Sequence, residues 1–421
     1  MHFTCEISKQ LTADVVVVGG GTAGVFAAIS AAKSGCKTVL IEKNSMLGGT
    51  MTAAGVNFPG LFFAWGKQII SGPCWESIER TVALGGATLP HISFHPKHHW
   101  HEQIKLNPFV YTTILFQMCE EAGVHVICNA MISYASEEQN GVRGVVTTKD
   151  GLVAIRASVA IDATGDATLC QLVGFDMLKS QTQQPATLQN HISGYVADEE
   201  IFERVKQSFA PTKLPSHITA DDLIGYLKRN KINMHVACVD ADTAEGRTQL
   251  EKNALYEMMK VVCFLKEIEG LEKLTVDSIA LETGVRETKR IVGKHIVTAE
   301  EYINGYTYPD SVCYAFYPID LHVEKGIEQR FHEENVVSKV PYRALIPQKS
   351  HRILCAGRCI SSDTYANSAL RVEAVCMATG QVAGAAASVM IREGVDAADI
   401  TYQALCTTLH SMGAIVPDEV L

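Results

Sequence analysis

The chain has no Cys-x-x-Cys pair, although it carries 13 cysteines. An odd number of thiols without framework spacing argues against a disulfide-stapled fold and a zinc ribbon, and fits reduced thiols inside a cell. Positive charge is also in short supply. Lys and Arg number 36 against 46 Asp and Glu, a formal net charge of −10. Nucleic acids and anionic membranes attract basic surfaces, so neither is expected as a partner. The residues before Asp14 lack the basic start and the cleavage site of a secretory leader, and the cytoplasm is the expected location. There is no internal repeat and no low-complexity linker. Long apolar runs are scarce as well. Residues 374–391 form a charge-free stretch of bilayer length, but it is rich in alanine and glycine and contains Thr379, Gln381 and Ser388. That composition predicts a buried helix rather than a membrane span.

What is present is enough for a large core. Hydrophobic residues make up 47% of the 421 and charged residues 19%, which predicts two or three folding units. The chain opens as strand, glycine loop, helix, strand. Residues 14–18 are valine-rich, as in a parallel strand buried on both faces. Residues 25–33 form an alanine-rich helix that Gly35 closes, and 38–42 form the second strand. Residues 50–105 read as irregular, anchored by Trp65, Trp75 and Trp100. A helix follows over 107–122 and a strand over 124–128. Residues 131–135, 142–148 and 152–157 read as an antiparallel meander with Asn140-Gly141 as a turn, and 159–163 as a further apolar strand. From about residue 174 to 340 the character changes, with strands at 189–196 and 232–239 and a long helix over 247–267. A short strand at 353–356 and the long small-residue helix complete the chain.

The glycine loop is Gly19-Gly20-Gly21-Thr22-Ala23-Gly24, a GxGxxG pattern between a strand and a helix. Gly19 permits the tight turn, Gly21 lets the backbone approach a pyrophosphate, and Gly24 lets helix pack on strand. The helix then directs its N-terminal N–H groups at the phosphates, with Thr22 and Ala23 in its first turn. Glu42, at the end of the second strand, can accept from ribose hydroxyls and would repel a 2′-phosphate, which disfavours NADP. Both FAD and NAD use this fingerprint. Three later segments decide between them: Leu47-Gly48-Gly49-Thr50 after Lys43, Ile161-Asp162-Ala163-Thr164-Gly165-Asp166 after a strand, and Ala356-Gly357-Arg358 leading to Ser368-Ala369-Leu370-Arg371-Val372.

Together these segments resemble the glutathione-reductase-like FAD superfamily and, within it, the FAD-dependent oxidoreductase family. The resemblance covers most of the chain. It extends to Gly284-Val285-Arg286-Glu287-Thr288-Lys289-Arg290, to Tyr317-Pro318-Ile319-Asp320-Leu321-His322 and to Pro341-Tyr342-Arg343-Ala344-Leu345-Ile346-Pro347. It implies an α/β fold: a Rossmann-like FAD-binding domain of parallel sheet plus antiparallel meander, interrupted by a smaller α+β substrate domain. The corresponding division is 1–60, 106–175 and 341–421 for the FAD domain, 61–105 for an active-site excursion and 176–340 for the substrate or cap domain. It also implies FAD as cofactor. Gly19, Gly21 and Gly24 would lie at the pyrophosphate and Glu42 with Lys43 at the ribose. Gly48, Gly49 and Thr50 would run along pyrophosphate and flavin. Met131 would face adenine through its backbone, and Ala163, Thr164, Gly165 and Gly357 would lie near the nucleotide. Arg371 and Val372 would open the last helix toward the flavin N1–C2=O edge, where negative charge gathers on reduction.

The substrate end is less determined. Arg286 and Arg290 would share a face if helical, and could clamp a carboxylate or belong to a salt-bridge network. Asp320 and His322 alternate on a strand and form a proton-transfer pair or a structural one. Arg343 closes the pocket or packs in the scaffold. The histidine run His95, His98, His99, His101 offers a metal site, a loop beside substrate or an exposed segment; no metal is expected. No cysteine pair follows Gly49, where disulfide reductases of this superfamily carry a dithiol, and no second GxGxxG serves a separate NAD(P)H domain. Cys355 and Cys359 read as buried thiols. The expected function is hydride transfer between a small organic substrate, a carboxylate or a polyol, and flavin N5, with an unknown electron donor or acceptor. The alternative is a non-redox or cofactor-consuming protein on the same fold.

Overall fold

The computed structural model describes residues 6–91, 102–323 and 326–417. Strand β1 (Ile7–Val18) runs into helix α1 (Thr22–Lys33) and β2 (Thr38–Ile41), the expected opening. Val15 and Val17 enter one apolar cluster while Val16 and Val18 enter another, so the strand is buried on both faces. Helix α2 (Pro73–Ala83) lies inside the segment expected to be irregular. The cue misread there was Pro73, a loop signal in the middle of a helix but favoured at its first position. Helix α3 (Pro108–Glu121) starts at Asn107, whose side chain accepts from the N–H groups of Phe109 and Val110. Strands β3 (His125–Ile127), β4 (Met131–Glu138), β5 (Gly141–Thr148) and β6 (Gly151–Asp162) follow.

The last of these corrects the sequence reading. Residues 152–157 and 159–163 were expected as two strands; 151–162 is one continuous strand. Its first half pairs antiparallel with β5, and its whole length runs parallel to β1. The meander and the parallel sheet are thereby a single sheet joined through β6.

Strands β7 (Ala186–Ser193), β8 (Lys231–Val236) and β9 (Thr275–Ile279) form a separate antiparallel sheet, ordered β8-β7-β9. Helix α4 (Ala244–Lys266) packs against β8, and Leu188, Met234, Met258 and Val261 share one apolar cluster. The two-stranded ribbon β10 (Ile319–Val323) and β11 (Gly326–Arg330) follows. Strand β12 (Ile353–Cys355) then joins the main sheet beside β6, giving the order β3-β2-β1-β6-β5-β4 with β12 paired to β6.

Helices α5 (Thr364–Leu370) and α6 (Glu373–Glu393) follow, and a further helix spans Tyr402–Ser411. Helix α6 is long and apolar enough to cross a bilayer, and 94% of its apolar window is buried inside the protein. Its small residues explain this position. A Cβ on Gly380 would stand 2.1 Å from the Ala23 carbonyl oxygen, and one on Gly384 2.2 Å from that of Ala27. Glycines one turn apart on α6 therefore lie against alanines one turn apart on α1. The architecture is mixed α/β with a Rossmann-like sheet, as expected.

Candidate active site

The loops at the carboxyl ends of β1, β2, β6 and β12 border a cavity of about 560 Å³, the size of a cofactor or ligand site. Gly19 turns the chain with φ +101°, and a Cβ there would stand 2.5 Å from the Ala163 carbonyl oxygen. Gly24 does not line the cavity. Its missing Cβ would lie 1.7 Å from the Gly19 carbonyl oxygen, so its role is helix-on-strand packing. Gly21, Thr22 and Ala23 do line the cavity. The nearest atom to a Cβ on Gly21 is Gly49 Cα at 3.8 Å, so the protein itself leaves space there. Gly48 donates from its N–H to the Gly20 carbonyl and stays behind the wall, while Gly49 and Thr50 face in.

Glu42 is buried. Its Oε2 accepts from Gly20 N–H at 2.6 Å and its Oε1 from Asn44 N–H at 2.8 Å. Burial pushes its carboxyl up, against these two N–H groups and Lys43. Each oxygen keeps a further lone pair for a ribose hydroxyl. Lys43 pairs with Glu282 at 2.5 Å, and both line the cavity with Met131. At the end of β6, Thr164 donates its N–H and Oγ–H to buried Asp162, which fixes Ala163, Thr164 and Gly165 along the wall. Arg358 ties this turn to the rest of the site: it donates to the Gly165 carbonyl at 2.8 Å, to Asp166 at 2.6 Å and to the Val285 carbonyl. Gly357, Arg371 and Val372 complete the wall at the start of α6. A glycine-loop cradle with open space at Gly21, a buried carboxylate at the ribose position and a helix N-terminus beyond fits FAD.

The other end of the cavity is built by segments far apart in sequence. His322 and Asp320 share one face of β10, with Nε2 of the imidazole 3.1 Å from Oδ2 of the carboxylate. Burial would raise the Asp320 carboxyl, but hydrogen bonds from His322 and Gln329 hold it down, at about 2. Burial and Arg286 push the His322 imidazole down despite that carboxylate. Its ring is thus neutral at pH 7, with the proton on Nε2 and a lone pair on Nδ1. Arg286 donates to the Pro185 carbonyl and faces His235 Nε2 at 3.2 Å. Burial and Arg371 push its guanidinium down to about 9, still charged at neutral pH. The Arg371 Nε is buried with no hydrogen-bond partner.

Two expectations fail here. Arg286 and Arg290 do not share a helical face, because residues 289–291 form a short strand paired to 177–179. The Gly284–Thr288 stretch before it is not helical, and i, i+4 spacing has no meaning outside a helix. Arg290 lies in a buried ion pair with Glu287 at 3.2 Å, the salt-bridge alternative. Arg343 does not line the cavity; it pairs with Asp310 at 3.0 Å near the surface. The histidines His95, His98, His99 and His101 lie outside the described residues. Cys355 and Cys359 are buried thiols 3.7 Å apart, and Cys355 lies near Cys170 and Asp162. Burial pushes the Cys170 thiol up to about 12.

Sequence reasoning missed His235, Tyr317, Gln103 and Glu373. His235 packs edge-on against His322, with ring centroids 5.1 Å apart. Tyr317 and Gln103 meet at 3.4 Å in the cavity wall. No local pattern marks His235 or Gln103, while Tyr317 opens the Tyr317–His322 motif that carries the family resemblance. Glu373 did carry a signal, an acid in the first turn of the helix that follows Arg371 and Val372.

Comparison with known proteins agrees with this geometry. The family model described as FAD dependent oxidoreductase matches residues 14–409. The chain belongs to that family, which carries the enzyme class, oxidoreductase, and the cofactor, FAD. Among curated proteins, it is 58% identical over 48 residues to the mitochondrial dihydrolipoyl dehydrogenase of Caenorhabditis elegans, covering 11% of this chain and 10% of that one. It is 56% identical over 64 residues to a fumarate reductase (cytochrome) of Shewanella frigidimarina, covering 15% and 11%. The matched stretch thus spans about a tenth of each relative's length. Among solved structures, a geranylgeranyl bacteriochlorophyll reductase-like protein from Thermoplasma acidophilum aligns with TM-score 0.48 and 14% identity, over 96% of this chain and 83% of that one. The anhydrotetracycline hydroxylase of Streptomyces rimosus aligns with TM-score 0.46 and 13% identity, over 96% and 66%.

Proposed function

We propose that the chain transfers a hydride between flavin N5 and a small organic substrate bearing a carboxylate. The observation that carries this reading is the charge on Arg286. Its guanidinium lines the cavity and meets the Pro185 carbonyl and the neutral His235 imidazole, and Arg371 beside it has an unsatisfied Nε. A carboxylate bound between Arg286 and Arg371 would accept from both guanidiniums, adding direct hydrogen bonds to the through-space pull of Asp320 and Glu373. A polyol would bring hydroxyl acceptors but no charge to meet them. FAD, when bound, supplies the two-electron centre. Arg286 and Arg371 hold and orient the substrate, while His322, fixed by Asp320, takes or returns the substrate proton at Nδ1.

The further assignments are proposals of the same kind. Membership of the glutathione-reductase-like superfamily is supported by the short dehydrogenase match and the GxGxxG loop. The cap domain over 176–340 is supported by the separate cluster around Leu188 and Met258. A reducing cytoplasm, without nucleic-acid or membrane partners, is supported by twelve free cysteines among the described residues and a formal charge of −10.

The test is anaerobic titration of the purified holoenzyme with small 2-hydroxy carboxylates and with matching polyols, read by bleaching of the flavin band. Carboxylates should bleach it, and Arg286→Met should raise KM about 10–100-fold, the value of one or two charge-assisted hydrogen bonds. Bleaching by polyols alone overturns the carboxylate reading. A flavin that no donor of either class bleaches favours the non-redox alternative.

A further inference from the structure

The mouth of helix α6 carries a carboxyl group where its surroundings are cationic. Glu373 is the first residue of α6 and lines the cavity between Arg371 and Cys376. Arg371 faces it from the turn between α5 and α6, Arg358 from the turn after β12, and Arg286 from the non-helical segment before residue 289. Tyr317, from the loop before β10, and Tyr111, from α3, complete the titratable groups that sense it, with Cys376 on its own helix. Two of the three guanidiniums have their N–H groups committed elsewhere: Arg358 to Gly165, Asp166 and Val285, and Arg286 to Pro185 and His235.

A helix N-terminus stabilises one negative charge close to it. Reduction of a flavin placed there would bring a second negative charge into the same cavity as the carboxylate. Two like charges so placed do not both persist, and the weaker acid is protonated. We propose that Glu373 is the proton store of the redox step, ionised beside oxidised flavin and protonated beside reduced flavin. The inference rests on the flavin lying in this cavity with its N1–C2=O edge at α6. The balance is simple. The flavin gains two electrons and one proton, the proton residing at N5, and the Glu373 carboxylate gains a second proton from solvent. Burial supports the step, since it pushes the Glu373 carboxyl up to about 7 against the pull of Arg371, Arg358 and Arg286. Near neutral pH the group is therefore free to change state.

The experiment is a spectroelectrochemical titration of the holoenzyme with a viologen mediator, repeated from about pH 5.5 to pH 9, which counts the protons bound per two electrons by linkage. The wild type should take up close to two protons per two electrons above about pH 7, where Glu373 starts ionised, and fewer toward pH 5.5. Glu373→Gln should take up one across the range, halving the pH slope of the midpoint potential. Glu373→Asp should restore the second proton. An unchanged slope in Glu373→Gln overturns the proposal. Gly21→Ala separates this from failure of the site itself: if that variant still binds FAD with wild-type affinity, the flavin lies elsewhere and both readings fall. If it loses FAD while Glu373→Gln keeps the wild-type slope, only the proton store is lost.

Discussion

His322 Nε2 stands 3.1 Å from Asp320 Oδ2 on one face of strand β10, so the carboxylate fixes which nitrogen of the ring holds the proton. His322→Gln should lower kcat by about 10²–10⁴-fold while the flavin spectrum and FAD affinity stay unchanged. Asp320→Asn should cost a comparable factor, because an amide can donate to Nε2 and reverse the tautomer. The pH profile gives the sign. A depressed imidazole pKa means that the base is free above about pH 6.5 and is lost as pH falls through its folded value. Substrate oxidation should therefore decline on the acid side in the wild type, and that limb should vanish in His322→Gln. Full activity in His322→Gln removes the histidine from the chemistry.

Two glycines of one motif should fail in different ways. A methyl at Gly21 meets no protein atom closer than 3.8 Å, whereas one at Gly24 would stand 1.7 Å from the Gly19 carbonyl oxygen. Gly21→Ala should fold with wild-type stability without cofactor and bind FAD about 10–100-fold more weakly, as one or two N–H contacts to phosphate are lost. Gly24→Ala should lose about 1–3 kcal/mol or more of stability through forced separation of helix and strand. Thermal melts with and without FAD read both. Equal destabilisation of the two apoproteins would contradict this division.

The cofactor end was readable in the sequence because its constraints are local. Gly19 to Gly24, Glu42 and the Thr164-Gly165 turn are each fixed by a few consecutive residues whose backbone must bend or approach closely. The pairing of α6 with α1 left a trace for the same reason, since Gly380 and Gly384 repeat at one helical turn. The substrate end was readable only in part. His235, Arg286 and His322 come from three segments about 50 and 36 residues apart, and only tertiary folding brings them together. Helical spacing suggested that Arg290 joins Arg286, but Val285, Thr288 and Ile291 favour extended backbone, and Arg290 turned toward Glu287.

The two arginine–carboxylate pairs outside the cavity lining, Arg290–Glu287 and Arg343–Asp310, should differ sharply in worth. Glu287 and Arg290 are 1% and 3% exposed, and Ser180 donates to the same carboxylate. Glu287→Ala leaves a buried guanidinium unpaired and should cost about 3–5 kcal/mol. Arg343 and Asp310 are 44% and 18% exposed at their side chains. Arg343→Ala should cost about 1 kcal/mol or less and leave kcat and KM unchanged. Denaturant unfolding and steady-state kinetics check both. A marked KM change in Arg343→Ala would return that residue to the site.

Two half-buried histidines set an acid limit on the fold. Burial, assisted by Arg286, pushes the His235 imidazole down to about 3, and burial pushes His332 down to about 4. Both are neutral in the folded chain, while the unfolded chain binds protons at each from about pH 6.5 downward. The unfolded state thus holds more protons between those limits, so stability is full above pH 6.5 and falls as the pH drops toward 4. Each histidine should account for up to about 3 kcal/mol of that fall. Carboxylates add their own acid dependence, so the measurement is a difference. His332→Asn lacks one of the two protonation sites but retains a side chain able to donate to Ser338. The gap between its stability and that of the wild type should narrow from pH 7 to pH 4. A constant gap would mean that His332 titrates alike in the folded and the unfolded chain.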